Sequence, residues 1–122
     1  MSRILVIDDD EPFRNMLRLT LQKQGHEIVP ARNGVEAVAF VKAEKFDLAM
    51  VDLIMPEKEG IETIREIRQL RPKLKIIAMS GGGRYTAKEL LKATLRLGAD
   101  KTIAKPFNTE DLENVIKATL EA

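Results

Sequence analysis

The strongest constraint on this chain is a set of short, unbroken apolar runs. Ile4–Ile7, Leu48–Val51 and Ile76–Met79 each stop at a polar or acidic residue. A strand with one wet face alternates apolar and polar residues. These runs do not alternate, which is how strands read when helices cover both faces of a parallel sheet. Two weaker runs, Ile28–Val29 and Thr102–Ala104, bring the set to five. Between the runs lie stretches with helical spacing. Their stripes are Phe13, Met16, Leu17, Thr20 and Leu21; Ala37, Val38 and Val41; Ile61, Ile64, Ile67 and Leu70; Ala87, Leu90, Leu91 and Leu95; and Leu112, Val115, Ile116, Thr119 and Leu120. The order is a strand followed by a helix, five times. Right-handed crossovers then place helices on both faces of one doubly wound α/β sheet.

The boundaries carry matching chemistry. Pro12 suits the first turn of a helix, with Asp10 and Glu11 as acids at its N-terminus. Gly25 and Gly98 stand where helices end, and Asn108 or Thr109 can cap the last one. The 122 residues fit a single domain, 1–122, that needs no staple, and the absence of cysteine excludes disulfides and thiolate metal sites. No apolar run approaches the roughly 18 residues that span a bilayer, and the start does not read as a signal peptide, so a cytoplasmic location is expected. Twenty basic and nineteen acidic residues leave a net charge of +1, and there is no Trp on which bases could stack. Neither feature favours nucleic acid as a partner.

In an open α/β sheet, sites form beyond the carboxyl ends of the strands. The first run ends in Asp8, Asp9 and Asp10, the third in Asp52, the fourth in Ser80 and the fifth in Lys105. Taken singly, each has an ordinary explanation: a turn residue, a helix cap or a solvated lysine. If the first strand lies between the second and third, Asp8, Asp9 and Asp52 share one pocket. Carboxylates so gathered repel each other unless a cation intervenes, and Mg²⁺ suits an all-oxygen site. With Lys105 and Ser80 beside it, such a pocket has the parts for phosphoryl transfer to Asp52. Asp10 and Glu11 read as helix N-terminal acids. His26, the single histidine, falls at the opposite end of the second strand and reads as surface or structural.

Asp8-Asp9, Asp52, Met55-Pro56, Gly60, Ser80 and Lys105-Pro106-Phe107 stand in order at fitting spacings. Together they resemble the receiver domain of bacterial two-component response regulators, and the resemblance covers the whole chain. It implies a flavodoxin-like sheet of strand order 2-1-3-4-5 with five helices on two faces. It further implies that Asp52 accepts a phosphoryl group from a phosphohistidine on a sensor kinase or phosphotransfer protein. Asp9, Asp52 and the backbone carbonyl of Ile54 would ligate Mg²⁺, with Asp8 acting through water. Ser80 would be the switch hydroxyl, Lys105 the charge partner, and the Lys105–Pro106 bond cis. The surface of helix 4, strand 5 and helix 5 would report to an effector or a tethered output domain. By this reading the protein catalyses only its own phosphorylation and dephosphorylation.

The chain departs from the pattern in places. Thr102 stands where the family has a switch aromatic, so the usual coupling to Ser80 is altered, and Tyr85 is a substitute candidate. The segment from Ser80 to Gly98 is about three residues longer than usual, and Gly81, Gly82 and Gly83 suit a bistable loop. Rival readings are a phosphohydrolase with an aspartyl nucleophile, a nucleotide or flavin binder, and a receiver that only binds partners. The first usually opens with Asp-x-Asp, the second wants a phosphate loop where this chain has acids, and the third does not need the filled acid, hydroxyl and lysine positions. Ile54 and Gly82 occupy positions that influence the attacking water, and an apolar Ile54 cannot orient it. Slow spontaneous loss of phosphate is therefore expected. Intact-mass time courses after donor removal should show severalfold faster loss for Ile54→Asn than for the wild type.

Overall fold

Side-chain alternation along the first strand decides where the two cores lie. In β1 (Arg3–Ile7), Ile4 and Val6 point to one face, and Leu5 and Ile7 to the other; all four are fully buried. The computed structural model describes residues 2–53, 60–81 and 87–122. After β1 come α1 (Glu11–Lys23), β2 (Glu27–Ala31), α2 (Gly34–Ala43), β3 (Leu48–Asp52) and α3 (Gly60–Leu70). β4 (Lys75–Ser80), α4 (Ala87–Leu97), β5 (Lys101–Ala104) and α5 (Thr109–Glu121) complete the order. All strand pairs are parallel, in the order β2-β1-β3-β4-β5. The expected doubly wound sheet and its strand order are thus present.

One core joins Ile4, Val6, Met50 and Met79 to Leu17 and Leu21 of α1 and to Leu112 and Ile116 of α5. The other joins Leu5, Ile7, Val51 and Ala78 to Val41 of α2 and to Ile64 and Ile67 of α3. Among the described residues, no helix is long and apolar enough to cross a membrane.

The helix termini follow the sequence signals. Asp10 caps α1 by accepting from the Phe13 N–H at 3.3 Å, and Pro12 lies in the first turn. Asn108 caps α5 by accepting from the Asp111 N–H at 2.7 Å. Gly25 and Gly98 both take positive φ, where a Cβ would be strained.

Three expectations needed correction. The second strand is longer than Ile28–Val29 and runs through Pro30 to Ala31. A proline is tolerated there because β2 is an edge strand, with no second neighbour to demand the missing N–H. Met16 is 45% exposed, although the spacing put it on the buried stripe of α1. Arg14, Leu17 and Leu21 face inward instead. Leu95 of α4 is likewise 48% exposed. Leu97 packs on the core, and two positions along a helix point to nearly opposite sides.

At the amino end of the sheet, Arg68 of α3 ties several connections together. Its guanidinium donates to the backbone carbonyls of Pro72 at 2.7 Å, Leu74 at 2.6 Å and Gly98 at 3.1 Å. It also pairs with Asp100 at 3.1 Å. Asp100 in turn accepts from the Ile76 N–H at 2.8 Å. One side chain therefore fixes the ends of α3 and α4 to the starts of β4 and β5. Removing it takes a donor from two partly buried carbonyls, those of Leu74 and Gly98, and from the exposed Pro72 carbonyl. Arg68→Met is expected to lower stability by about 2 kcal/mol in urea titrations.

Candidate functional site

Strand register brings the distant acids together. Ile7 pairs with Val51, so the next residues, Asp8 and Asp52, emerge side by side. Asp52 pairs with Met79, which sets Ser80 one residue further along β4. Ser80 pairs with Ala104, and Lys105 follows. Backbone hydrogen bonds continue past the strand ends. The Asp8 N–H donates to the Ala31 carbonyl at 3.2 Å, the Leu53 N–H to Met79 at 3.0 Å, and the Lys105 N–H to Ser80 at 2.7 Å.

Asp8 is fully buried, Asp52 and Ser80 are nearly so, and Asp9 is exposed. One carboxylate oxygen from each of Asp8, Asp9 and Asp52 lies within 4.8 Å of the others. Lys105 Nζ is 2.7 Å from Asp8 Oδ2 and 3.7 Å from Asp52 Oδ1. The other Asp8 oxygen accepts from the Asp10 N–H at 3.0 Å. Asp8 thus meets a cation on one side and a backbone donor on the other, which offsets the cost of its burial. Three carboxylates against one ammonium still leave negative charge at the sheet edge. An all-oxygen donor set this tightly spaced fits a hard divalent cation such as Mg²⁺.

Asp8, Asp9, Asp52, Ser80 and Lys105, named from the sequence, therefore gather at one edge. Asp10 does not join them, because its carboxylate caps α1. Ile54, Gly82 and Tyr85 lie outside the described residues. Thr102 is partly buried on β5, opposite Ala78. The Lys105–Pro106 bond is cis, as expected. His26 lies apart from the site: its Nδ1 accepts from the Ser2 N–H at 3.3 Å, and burial pushes its pKa down.

Two residues escaped the sequence reading. Arg14 is 9% exposed and donates to the Asp8 carbonyl at 2.8 Å, fastening α1 to the turn that carries Asp8 and Asp9. A charged residue in phase with Leu17 and Leu21 was the available signal. Phe13 places its ring 4.1 Å from Lys105 Nζ and meets Phe107 edge to face at 5.7 Å. Periodicity had assigned that ring to the core alone.

Gly60 lies against the backbone that carries Asp52. A Cβ there would lie 2.0 Å from the Asp52 carbonyl oxygen and 2.5 Å from Leu53 Cα. The Gly60 N–H also donates to the Leu53 carbonyl at 3.1 Å. Any side chain must push the backbone that carries Asp52. Gly60→Ala is expected to cost about 3 kcal/mol in urea titrations and to weaken divalent-cation binding measured by calorimetry.

Several solved structures are similar to this one over nearly the whole chain. A CheY-like response regulator receiver domain protein of Methanospirillum hungatei is 35% identical, with a TM-score of 0.91 over 99% of this chain and 94% of its own. TrrA of Thermotoga maritima, a response regulator protein solved in complex with Mg²⁺-BeF, is 34% identical, with a TM-score of 0.85 over 98% and 99%. NtrX of Brucella abortus is 29% identical, with a TM-score of 0.91 over 98% of this chain but only 27% of NtrX. The family model for the response regulator receiver domain matches residues 4–117. With that match over nearly its whole length, the chain belongs to the receiver domain family of two-component response regulators.

Proposed function

We propose that this receiver, taken as one unit over residues 1–122, is a phosphorylation-dependent switch whose phosphoacceptor is Asp52. The observation that carries this reading is the position of Lys105. Its ammonium reaches both Asp8 and Asp52, at 2.7 and 3.7 Å, from a separate strand end. A structural ion pair needs only one carboxylate. A lysine shared between two acids, beside a third, is placed for charge that arrives and departs.

Asp9, Asp52 and the Ile54 carbonyl would hold Mg²⁺, with Asp8 acting through water. Bound there, the ion supplies positive charge that neutralises the acids and the phosphoryl oxygens. The chain's own groups do the rest. An Asp52 carboxylate oxygen attacks phosphorus as the bond from phosphorus to the donor atom breaks. The electron pair of the broken bond leaves with the donor, an imidazole nitrogen of a sensor kinase or phosphotransfer protein. Lys105 turns from Asp8 to the phosphoryl oxygens, and the Ser80 hydroxyl donates to another of them. Burial of Asp8, Asp52 and Ser80 strengthens each of these interactions by excluding water. The added charge then shifts the surface formed by α4, β5 and α5 toward an effector or output domain. Thr102 on β5 implies that this shift proceeds without a ring rotation at that position.

Incubated with Mg²⁺ and a small acyl phosphate, the protein should gain the mass of one phosphoryl group. Asp52→Asn, or removal of Mg²⁺ with a chelator, should abolish that gain. Release of many phosphates per chain without a stable mass gain would instead favour a phosphohydrolase.

A further inference from the structure

We propose that Phe13 is a positioning residue for Lys105, holding the ammonium over the carboxylate pocket while it exchanges partners. The inference rests on the reading of Asp52 as the phosphoacceptor and adds a residue outside the acid, hydroxyl and lysine set.

Lysine carries a compact charge on a flexible four-carbon stem, so a lysine that must act at a defined point needs restraint. Ion pairing to Asp8 gives that restraint only until Lys105 lets go. The Phe13 ring is a second restraint of a different kind. Its centroid lies 4.1 Å from Nζ, well within the reach of a cation–π contact. The ring attracts the ammonium without offering a lone pair or a charge, so it does not compete with phosphoryl oxygens for the N–H donors. The ring restraint can therefore persist through transfer, after the Asp8 pair is released.

The ring is braced by one aromatic neighbour, and the turn that carries it is fixed by two hydrogen bonds. The Phe13 backbone N–H donates to the Asp10 carboxylate at 3.3 Å, which sets the first turn of α1. The next residue, Arg14, anchors that turn to the Asp8 carbonyl at 2.8 Å. Phe107 meets the ring edge to face, at 5.7 Å and 78° between planes. Lys105 and Phe107 lie on one short segment after β5, so the segment that supplies the ammonium also supplies the support for the ring. A core phenylalanine needs none of this arrangement. Phe13 also packs against the core that Leu17 and Leu21 enter, so its ring has a packing role beside the contact with Lys105.

Two measurements separate positioning from packing. The first replaces Phe13 with phenylalanines carrying one, two and three ring fluorines, which remove the negative potential of the ring face and nearly preserve its shape. Phosphorylation of Asp52 by a small acyl phosphate at saturating Mg²⁺, followed by intact mass, should slow in steps with each fluorine. Thermal melting should stay constant across the series. Phe13→Leu should slow transfer on the order of fivefold, and Phe13→Tyr should restore it. The second measurement is the proton shift of the Lys105 ε-methylene, which the ring current should displace in the wild type and release in Phe13→Leu. Transfer rates indifferent to fluorination would overturn the proposal while leaving Asp52 as phosphoacceptor. A wild type that gains no mass at all would sink the Asp52 reading, and this proposal with it.

Discussion

Mutual repulsion among Asp8, Asp9 and Asp52 is the constraint around which this molecule is organised. Their oxygens crowd within 4.8 Å, and two of the three carboxylates are almost withdrawn from water. Such an arrangement persists only where other forces impose it. Backbone pairing imposes it first, because parallel register leaves Asp8 and Asp52 no choice of position. Lys105 offsets part of the repulsion, and the Asp10 N–H satisfies the oxygen that Lys105 leaves. The remaining negative charge, carried by closely spaced oxygens, suits the edge to a hard divalent cation.

Two arginines stabilise opposite ends of the scaffold in the same manner. Arg14 reaches a backbone carbonyl at the carboxyl edge, and Arg68 reaches three at the amino edge. In each case a planar guanidinium donates to backbone carbonyls in the connections next to the strands. The two differ in consequence. Arg68 fixes connections remote from the acids, whereas Arg14 fixes the turn that bears two of them. Gly60 makes a third constraint on the site, through the space it leaves empty beside Asp52.

Much of this was legible in the chain. The unbroken apolar runs announced a buried parallel sheet, and the residues at their ends announced the pocket. What failed to show was which helical face turned inward at the margins. Met16 and Leu95 fit an apolar stripe by spacing yet face outward, because a stripe wider than the contact area leaves its edge residues exposed. Arg14 faces inward against its polarity, since a carbonyl partner waits there. Phe13 read as core, and its contact with Lys105 depends on residues more than ninety positions away in the chain. No local pattern records such a meeting.

By itself, the sequence determined the fold class, the alternation of elements and the set of residues that could meet at the strand ends. These follow from hydrophobic period and from the rule that sites lie beyond the carboxyl ends of a parallel sheet. Only the tertiary structure decided who meets whom. Register placed Asp8 beside Asp52, a lysine from the last strand end was drawn to the first, and an aromatic ring from α1 came to lie against that lysine. The physical reason is that burial and period are properties of a segment, while charge pairing and ring contacts are properties of space. Space is set by strand order and twist, which act on the whole chain at once.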